Sequence, residues 1–229
     1  MKTIFFDTET TGLNCATCQI IELAMIVVED GYIVEEYDKF VKTDERLPLN
    51  ITQITGITDD MLKEEGVSEA EIAEDLKNRM TPGTLMVAHN CQFDLSFVYY
   101  LLKRHYPDGA DGIVRNVDWL DTLTVVKDRM EYPHRLNNVV KHYGLEKVNF
   151  HRAIDDTRAL YQVYRKLRHD PLYNPGEIDL YINRFGYNPK YPLSGVRLER
   201  KIIYIPQRFH NFPNKNRRLP FEEILPNQK

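Results

Sequence analysis

The order of the apolar segments constrains the fold of this chain most strongly. Three strand-like runs come first, at residues 2–7, 20–28 and 33–41, and Asp30-Gly31 marks a hairpin turn between the last two. Short apolar strands then alternate with amphipathic helices up to about residue 168. Hairpins followed by strand–helix alternation predict an α/β fold, in which a mixed sheet is covered by helices.

Capping and turn residues predict where the later elements lie. Ser68 and Glu71 form a capping box that opens a helix reaching about Met80, and Pro82-Gly83 follows it. Strands are predicted at residues 85–88 and 116–120, and further helices at about 94–105, 122–130, 135–143 and 152–168. Seven prolines punctuate the chain after residue 171, where only residues 201–205 resemble a strand. We therefore expect one domain at residues 1–170 and a C-terminal extension at 171–229.

Composition narrows the class of protein. Hydrophobic residues make up 42% of the chain and charged residues 28%, which is typical of a soluble globular protein. The apolar runs are too short to span a bilayer, so no membrane association is expected. Met1-Lys2-Thr3 leads directly into the first strand, which predicts no signal peptide. The three cysteines form no disulfide framework and predict a reducing, cytoplasmic location.

Charge is distributed unevenly along the chain. Residues 181–229 contain ten Lys or Arg and three Glu, although the net charge of the whole chain is −4. A basic tail on an acidic body favours an anionic partner, and a solvated basic surface is the alternative. The tail also contains eight Tyr and Phe residues. These rings favour stacking with the bases of single-stranded nucleic acid, or packing of the tail onto the body.

Two acidic residues end the first predicted strand. Asp7 and Glu9 are two residues apart, so both carboxylates point to one face of the strand and Thr8 points to the other. Like charges held close together repel, and a divalent cation is a common reason to keep them there. The alternative is a polar strand end exposed to water.

Two further acids lie on predicted helices. Asp94 shares a helical face with Phe97, Val98 and Leu101, although an Asp at this position could also act as a helix N-cap. Asp156 shares the apolar face of its helix, whereas Asp155 lies on a mainly polar face with Arg158. A carboxylate that points toward the core needs a partner or a metal, so Asp156 is the better candidate ligand.

His151 precedes the last helix and is predicted to lie in the loop that enters it. Five residues separate it from Asp156, so the two side chains cannot share a helical face. From the loop its imidazole could reach a water molecule beside the acids. Cys15 and Cys18 have zinc-ligand spacing, but no second pair completes a zinc site in the sequence.

These acidic residues stand in three motifs that resemble those of a known family. The motifs are FDTETTGL at residues 6–13, VAHNCQFDLSFV at 87–98 and HRAIDDT at 151–157. In order and spacing they are similar to the three exonuclease motifs of the DnaQ-like 3′–5′ exonucleases, DEDDh branch. The resemblance covers about residues 1–170. It implies a ribonuclease-H-like fold with a mixed five-stranded sheet flanked by helices.

The resemblance also implies the site. It makes Asp7, Glu9, Asp94 and Asp156 the metal ligands and His151 the general base. An all-carboxylate site suits two Mg²⁺ or Mn²⁺ ions. The residues expected to bind substrate are Thr8, Thr10, Thr11, Gly12, Leu13 and Asn90, with Leu13 against the terminal base.

The expected activity is hydrolysis of phosphodiester bonds from the 3′ end of a single strand. DNA is favoured over RNA, in proofreading or repair, and a DNA polymerase is a possible partner. Trimming of RNA 3′ ends is the first alternative, and a nucleic-acid-binding module without catalysis is the second.

Overall fold

The computed structural model describes residues 1–43, 45–145, 152–186, 188, 193, 201–205 and 207. A mixed five-stranded sheet lies at its centre, as predicted, in the order β3-β2-β1-β4-β5. The strands are β1 (Lys2–Thr10), β2 (Ile20–Glu29), β3 (Tyr32–Phe40), β4 (Leu85–Ala88) and β5 (Asp118–Asp121).

Strand direction follows from the length of each connection. β1, β2 and β3 pair antiparallel, and Asp30 and Gly31 form the tight turn between the last two with φ of 50° and 88°. β4 and β5 join through helical crossovers and pair parallel, β4 with β1 and β5 with β4. The carboxyl ends of β1, β4 and β5 therefore lie at the same edge of the sheet.

The helices confirm most of the predicted elements and add three. Their bounds are α1 (Leu49–Thr55), α2 (Asp59–Glu65), α3 (Glu69–Arg79), α4 (Cys91–His105), α5 (Ala110–Asn116), α6 (Thr122–Arg129), α7 (Leu136–His142) and α8 (Ala153–Arg168). The Ser68 hydroxyl caps α3 by accepting a hydrogen bond from the Glu71 amide at 3.2 Å, which is one half of the predicted capping box. The Glu71 carboxylate instead accepts Nζ of Lys39 at 2.6 Å. The sequence analysis did not predict α1, α2 and α5, each of seven residues.

Two apolar layers cover the two faces of β1. Ile4 and Phe6 pack with α4 in one buried cluster. Phe5 points to the opposite face, where its ring makes edge-on contacts with Tyr161 and Tyr164 of α8 at 5.1 and 5.0 Å. The alternation along β1 therefore directs its odd-numbered side chains, including Asp7 and Glu9, toward α8.

The first part of the C-terminal extension packs against the sheet. A 3-10 helix at Glu177–Tyr181 precedes β6 (Arg184–Gly186), which pairs parallel with β7 (Ile203–Ile205). The sequence predicted a strand at 201–205 and missed β6, a run of only three residues. Tyr181 and Phe185 are buried, so these two rings follow the packing alternative. The domain boundary at residue 170 stays a prediction.

Within the described part of the chain, no helix combines the length and hydrophobicity needed to cross a bilayer.

Candidate active site

Three carboxylates converge where β1 ends. Asp7, Glu9 and Asp156 each offer an oxygen atom, and the three atoms lie within 4.8 Å of one another. Asp7 and Glu9 come from alternate positions of β1, and Asp156 comes from the first turn of α8. All three side chains are partly buried. Oxygen atoms from three acids at this spacing form a group that could hold a hard divalent cation.

The helical face explains why Asp156, rather than its neighbour, joins the group. Leu160, Val163 and Leu167 follow Asp156 at helical spacing and are buried against the sheet. Asp155 instead lies 3.3 Å from Arg158 in an ion pair on the outer side of α8.

Asp94 lies beside the group on another element. The sequence predicted a helix that begins at Asp94, but α4 begins at Cys91. Asp94 therefore lies inside the first turn, and the prediction that it could be the helix N-cap is wrong. Asn90 precedes the helix with a left-handed backbone (φ 71°), a conformation in which Asn is enriched. The Asp94 carboxylate is buried, and Oδ1 accepts the Thr8 amide at 3.1 Å and the Thr8 hydroxyl at 2.8 Å.

Crowding of acids perturbs their proton affinities. Burial raises the pKa of Asp7 well above its usual range, and the charges of Asp94 and Asp156 raise it further. Burial raises the pKa of Glu9 to about 8, with Asp156 the next contributor. Burial likewise raises the pKa of Asp94 to about 7, against the lowering effect of the Thr8 hydrogen bonds. A bound cation would offset this repulsion, so the donor set fits a divalent metal ion.

Sequence reasoning missed a buried acid behind the cluster. Glu22 pairs with Glu9 across β1 and β2 and is fully buried. Its Oε1 accepts hydrogen bonds from Nε and Nη2 of Arg152 at 3.0 and 2.8 Å, and its Oε2 accepts a hydrogen bond from the Ala153 amide at 2.9 Å. The sequence did carry a signal, because Glu22 is an acid inside the apolar run of β2 and requires a partner.

Asp121 holds the start of two helices. Its Oδ1 accepts the amides of Asn90, Cys91 and Leu123 at 2.9, 3.1 and 3.0 Å. It is thus the N-cap of α6, as the sequence suggested, and it also fixes the beginning of α4. His89 bridges its neighbours, with Nδ1 3.0 Å from the Thr122 hydroxyl and Nε2 2.8 Å from the His134 carbonyl, which agrees with a structural role.

Comparison with known proteins identifies the family. A family model described as an exonuclease, RNase_T, matches residues 4–164. The chain belongs to this exonuclease family.

Two curated relatives of this chain are DNA polymerases. The PolC-type DNA polymerase III of Halalkalibacterium halodurans is 38% identical over 160 residues, which are 68% of this chain and 10% of that protein. The same polymerase of Staphylococcus haemolyticus is 34% identical over 72% of this chain and 11% of its own length. The chain therefore spans about a tenth of the length of these relatives.

Solved structures share the fold. Escherichia coli exonuclease I in complex with a dT13 oligonucleotide aligns over 75% of this chain and 42% of its own, at 24% identity and a TM-score of 0.64. A moderately thermophilic exonuclease I from Methylocaldum szegediense aligns over 75% of this chain and 41% of its own, at 25% identity and a TM-score of 0.65. The chain thus covers about two fifths of each of these chains.

The end of β1 and the loop that follows it contain most of the residues that the family resemblance assigns to substrate. The Thr10 hydroxyl donates to the Gly12 carbonyl at 2.6 Å, and Thr11 pairs with Gln19 through its amide and its hydroxyl. A Cβ at Gly12 would lie 2.8 Å from the Cys18 Sγ, so any larger residue at this position would displace the Cys18 thiol. Leu13 is 62% exposed, which leaves an apolar surface open to a base.

Two further predicted substrate residues, Thr8 and Asn90, also have protein partners, and one predicted site residue lies outside the described residues. Thr8 is buried and donates to Asp94, as described above, and the Asn90 Oδ1 accepts Nδ2 of Asn188 at 2.8 Å. His151 lies outside the described residues, so its role as general base stays a prediction. Its neighbour Arg152 is described and is anchored by Glu22.

Proposed function

We propose that the chain is a metal-dependent 3′–5′ exonuclease that releases nucleoside monophosphates from single-stranded DNA. The observation that carries the proposal is the convergence of Asp7, Glu9 and Asp156 at the end of β1, beside the buried Asp94. Membership of the exonuclease family supports it. The relatives named above are DNA polymerases, and one similar solved structure holds a DNA oligonucleotide.

In this proposal the four acids Asp7, Glu9, Asp94 and Asp156 hold two Mg²⁺ or Mn²⁺ ions. When bound, such ions lower the pKa of an attacking water and stabilise charge on the leaving 3′ oxygen. Carboxylate oxygens suit these hard ions better than zinc. Cys15 and Cys18 are free thiols, and no zinc ligand set forms around them in the part of the chain that the structure covers.

Neighbouring residues of the chain hold the proposed metal ligands in place. Thr8 fixes one oxygen of Asp94 through two hydrogen bonds. Glu22 fixes the first turn of α8, which carries Asp156. His151 is the predicted base that takes a proton from the attacking water, and such a base contributes about 10²–10⁴-fold in rate.

The substrate pocket is proposed to be lined by the end of β1 and the loop that follows it, from Thr8 to Leu13. Thr8, Thr10, Thr11 and Gly12 would surround the terminal nucleotide, with Asn90 at its side. The exposed side chain of Leu13 would contact the base. Apolar contact of this kind accepts any base, which suits an enzyme that degrades a strand regardless of sequence.

The cellular setting stays a prediction. The polymerase names of the relatives support a proofreading or repair role and a DNA polymerase as a partner. The three free cysteines are compatible with the predicted cytoplasmic location. RNA 3′-end trimming is the competing activity, and a silent nucleic-acid-binding module is the competing class.

End-labelled single strands test the proposal. We expect DNA labelled at its 5′ end to shorten stepwise in Mg²⁺ or Mn²⁺, and DNA labelled at its 3′ end to release labelled mononucleotide at once. EDTA should abolish both reactions. Faster hydrolysis of RNA than of a matched DNA would favour trimming, and no hydrolysis of either by a folded, metal-loaded protein would favour the silent module.

A further inference from the structure

A cleft lies next to the carboxylate site, at the same edge of the sheet. It has a volume of about 520 Å³, and its lining includes His89, Asn90, Lys127, Tyr132, His134 and Arg135. Asn90 lines the cleft and lies four residues before Asp94, a rise of about 6 Å along α4. The cleft therefore begins beside the site that would hold the 3′-terminal nucleotide.

The cleft carries two cations without acidic partners. Lys127 is partly buried and Arg135 is exposed, and neither forms an ion pair with any carboxylate that the structure describes. By contrast, Arg152 and Arg158 near the cluster are paired with Glu22 and Glu36 at 2.8 and 2.7 Å. Burial lowers the pKa of Lys127, although the charge of Asp121 opposes this effect. A phosphate group would supply the missing counter-charge.

An exposed ring stands at the rim of the cleft. Tyr132 is 85% exposed, and its ring meets the ring of His134 edge-on at 5.8 Å. His134 is buried, with Nε2 2.9 Å from the Met130 carbonyl, so the ring beneath Tyr132 is fixed. An aromatic face at the edge of a basic groove is a stacking platform of the kind used for single strands.

We propose that this cleft binds the second and third nucleotides from the 3′ end of single-stranded DNA. Lys127 and Arg135 pair with the phosphates, and Tyr132 stacks on a base. This inference rests on the proposed function, because it places the strand relative to the carboxylate site. Two other clefts, of about 670 and 700 Å³, border none of the candidate site residues within the described ranges.

Removal of the positive side chains of Lys127 and Arg135 tests the assignment of the cleft to DNA binding. The first variant is the double substitution Lys127→Gln/Arg135→Gln, and the second is Tyr132→Ala. The control is the double substitution Arg165→Gln/Lys166→Gln, which removes the same amount of positive charge from the cleft of about 670 Å³. Each is assayed on dT12 and on the 4-nitrophenyl ester of thymidine 5′-phosphate, which has no second nucleotide. Circular dichroism confirms that each variant is folded.

The expected result is a selective loss on the oligonucleotide. For the Lys127/Arg135 variant, the ratio of kcat/KM on dT12 to that on the ester should fall about 10- to 100-fold, mainly through KM. The slope of log affinity against log salt should decrease by about one to two, one for each lost phosphate contact. Tyr132→Ala should lower the ratio about 5- to 100-fold.

A binding arm separates failure of this proposal from failure of the proposed function. Anisotropy of fluorescein-labelled dT12 is measured in EDTA, where no hydrolysis is expected. If the cleft variants bind and cut dT12 like the Arg165/Lys166 control, with the same salt slope, the cleft assignment is overturned. In that case hydrolysis of dT12 by the wild type still leaves the proposed function intact. If the wild type cuts neither substrate, the proposed function fails, and weaker binding by the cleft variants alone would still support the cleft.

Discussion

Arg152 donates two hydrogen bonds to one oxygen of Glu22, at 3.0 and 2.8 Å, while the other oxygen of Glu22 accepts the Ala153 amide. The carboxylate thus joins β2 to the first residues of α8. Asp156 lies in that same first turn, and its carboxylate meets those of Asp7 and Glu9. Glu22 is therefore a positioning residue, because it acts on the site through the backbone that carries Asp156.

Replacement of Glu22 tests this role. Glu22→Gln keeps the shape of the side chain but removes its charge, so the bonds to Arg152 weaken and α8 shifts relative to β1. We expect kcat to fall about 10–100-fold with little change in KM for the oligonucleotide. The Mn²⁺ concentration for half-maximal activity should rise as well. We expect a loss of stability of about 2–4 kcal/mol.

Arg158→Gln is the matched control for Glu22→Gln. Arg158 lies on the outer side of α8, and its ion pairs with Glu36 and Asp155 are exposed. We expect it to change stability by less than about 1 kcal/mol and to leave metal dependence unaltered. Equal effects of the two variants on metal dependence would show that Glu22 contributes only to stability.

Thr8 offers a second test of positioning. Thr8→Val removes the hydroxyl that donates to Asp94 at 2.8 Å and keeps the shape of the side chain. The pKa of Asp94 should rise further because one bond to its charged form is lost. We expect about tenfold weaker activity, with the acidic limb of the pH–rate profile displaced to higher pH. Thr8→Ser keeps the hydroxyl and should restore the profile; a normal profile for Thr8→Val would contradict the assignment.

The raised pKa values predict how stability depends on pH without metal. In the folded protein, Glu9 and Asp94 have pKa values of about 8 and 7, whereas the ordinary pKa values of these side chains are 4.5 and 3.8. Between these values the folded protein keeps protons that the unfolded chain has already released. The folded, metal-free protein therefore loses stability as pH rises from about 5 through 8. We expect Tm in EDTA to fall across this range and Mg²⁺ or Mn²⁺ to reverse much of the fall at the alkaline end.

Glu9→Gln isolates the contribution of the cluster from that of other titrating groups. In EDTA at pH 8.5 the variant should be more stable than the wild type by about 1–2 kcal/mol, or roughly 2–8 °C in Tm. At pH 4 the difference should vanish, because both side chains are then neutral. A variant that is less stable than the wild type at pH 8.5 would refute the proposed repulsion.

Periodicity predicted the parts of the site that lie on regular elements. A period of two placed Asp7 and Glu9 on one face of β1, and the helical period separated Asp156 from Asp155; the structure shows both arrangements. The mixed character of the sheet followed from hairpins and crossovers in the same way. Local geometry suffices for these features because the neighbours of each side chain are set by its own strand or helix.

Features that depend on distant contacts could not be predicted. Glu22 and Arg152 are 130 residues apart, and nothing local identifies them as partners. The start of α4 was misplaced because Asn90 has a left-handed backbone and the amide of Cys91 is capped by Asp121 from β5. These contacts exist only after β4 and β5 have paired, so tertiary structure decides them.

The carboxylate centre itself is tested most directly by one pair of neighbouring substitutions. Asp156→Asn and Asp155→Asn remove the same charge from adjacent residues, one inside the cluster and one paired with Arg158 outside it. The rate of 3′ shortening of 5′-labelled single-stranded DNA is measured for both in Mg²⁺ and in Mn²⁺. We expect Asp156→Asn to lose roughly 10³-fold or more, equivalent to about 4 kcal/mol of transition-state stabilisation, while Asp155→Asn stays within about threefold of the wild type. Comparable activity of the two variants, or a larger loss for Asp155→Asn, would contradict the assignment of the cluster as the catalytic centre.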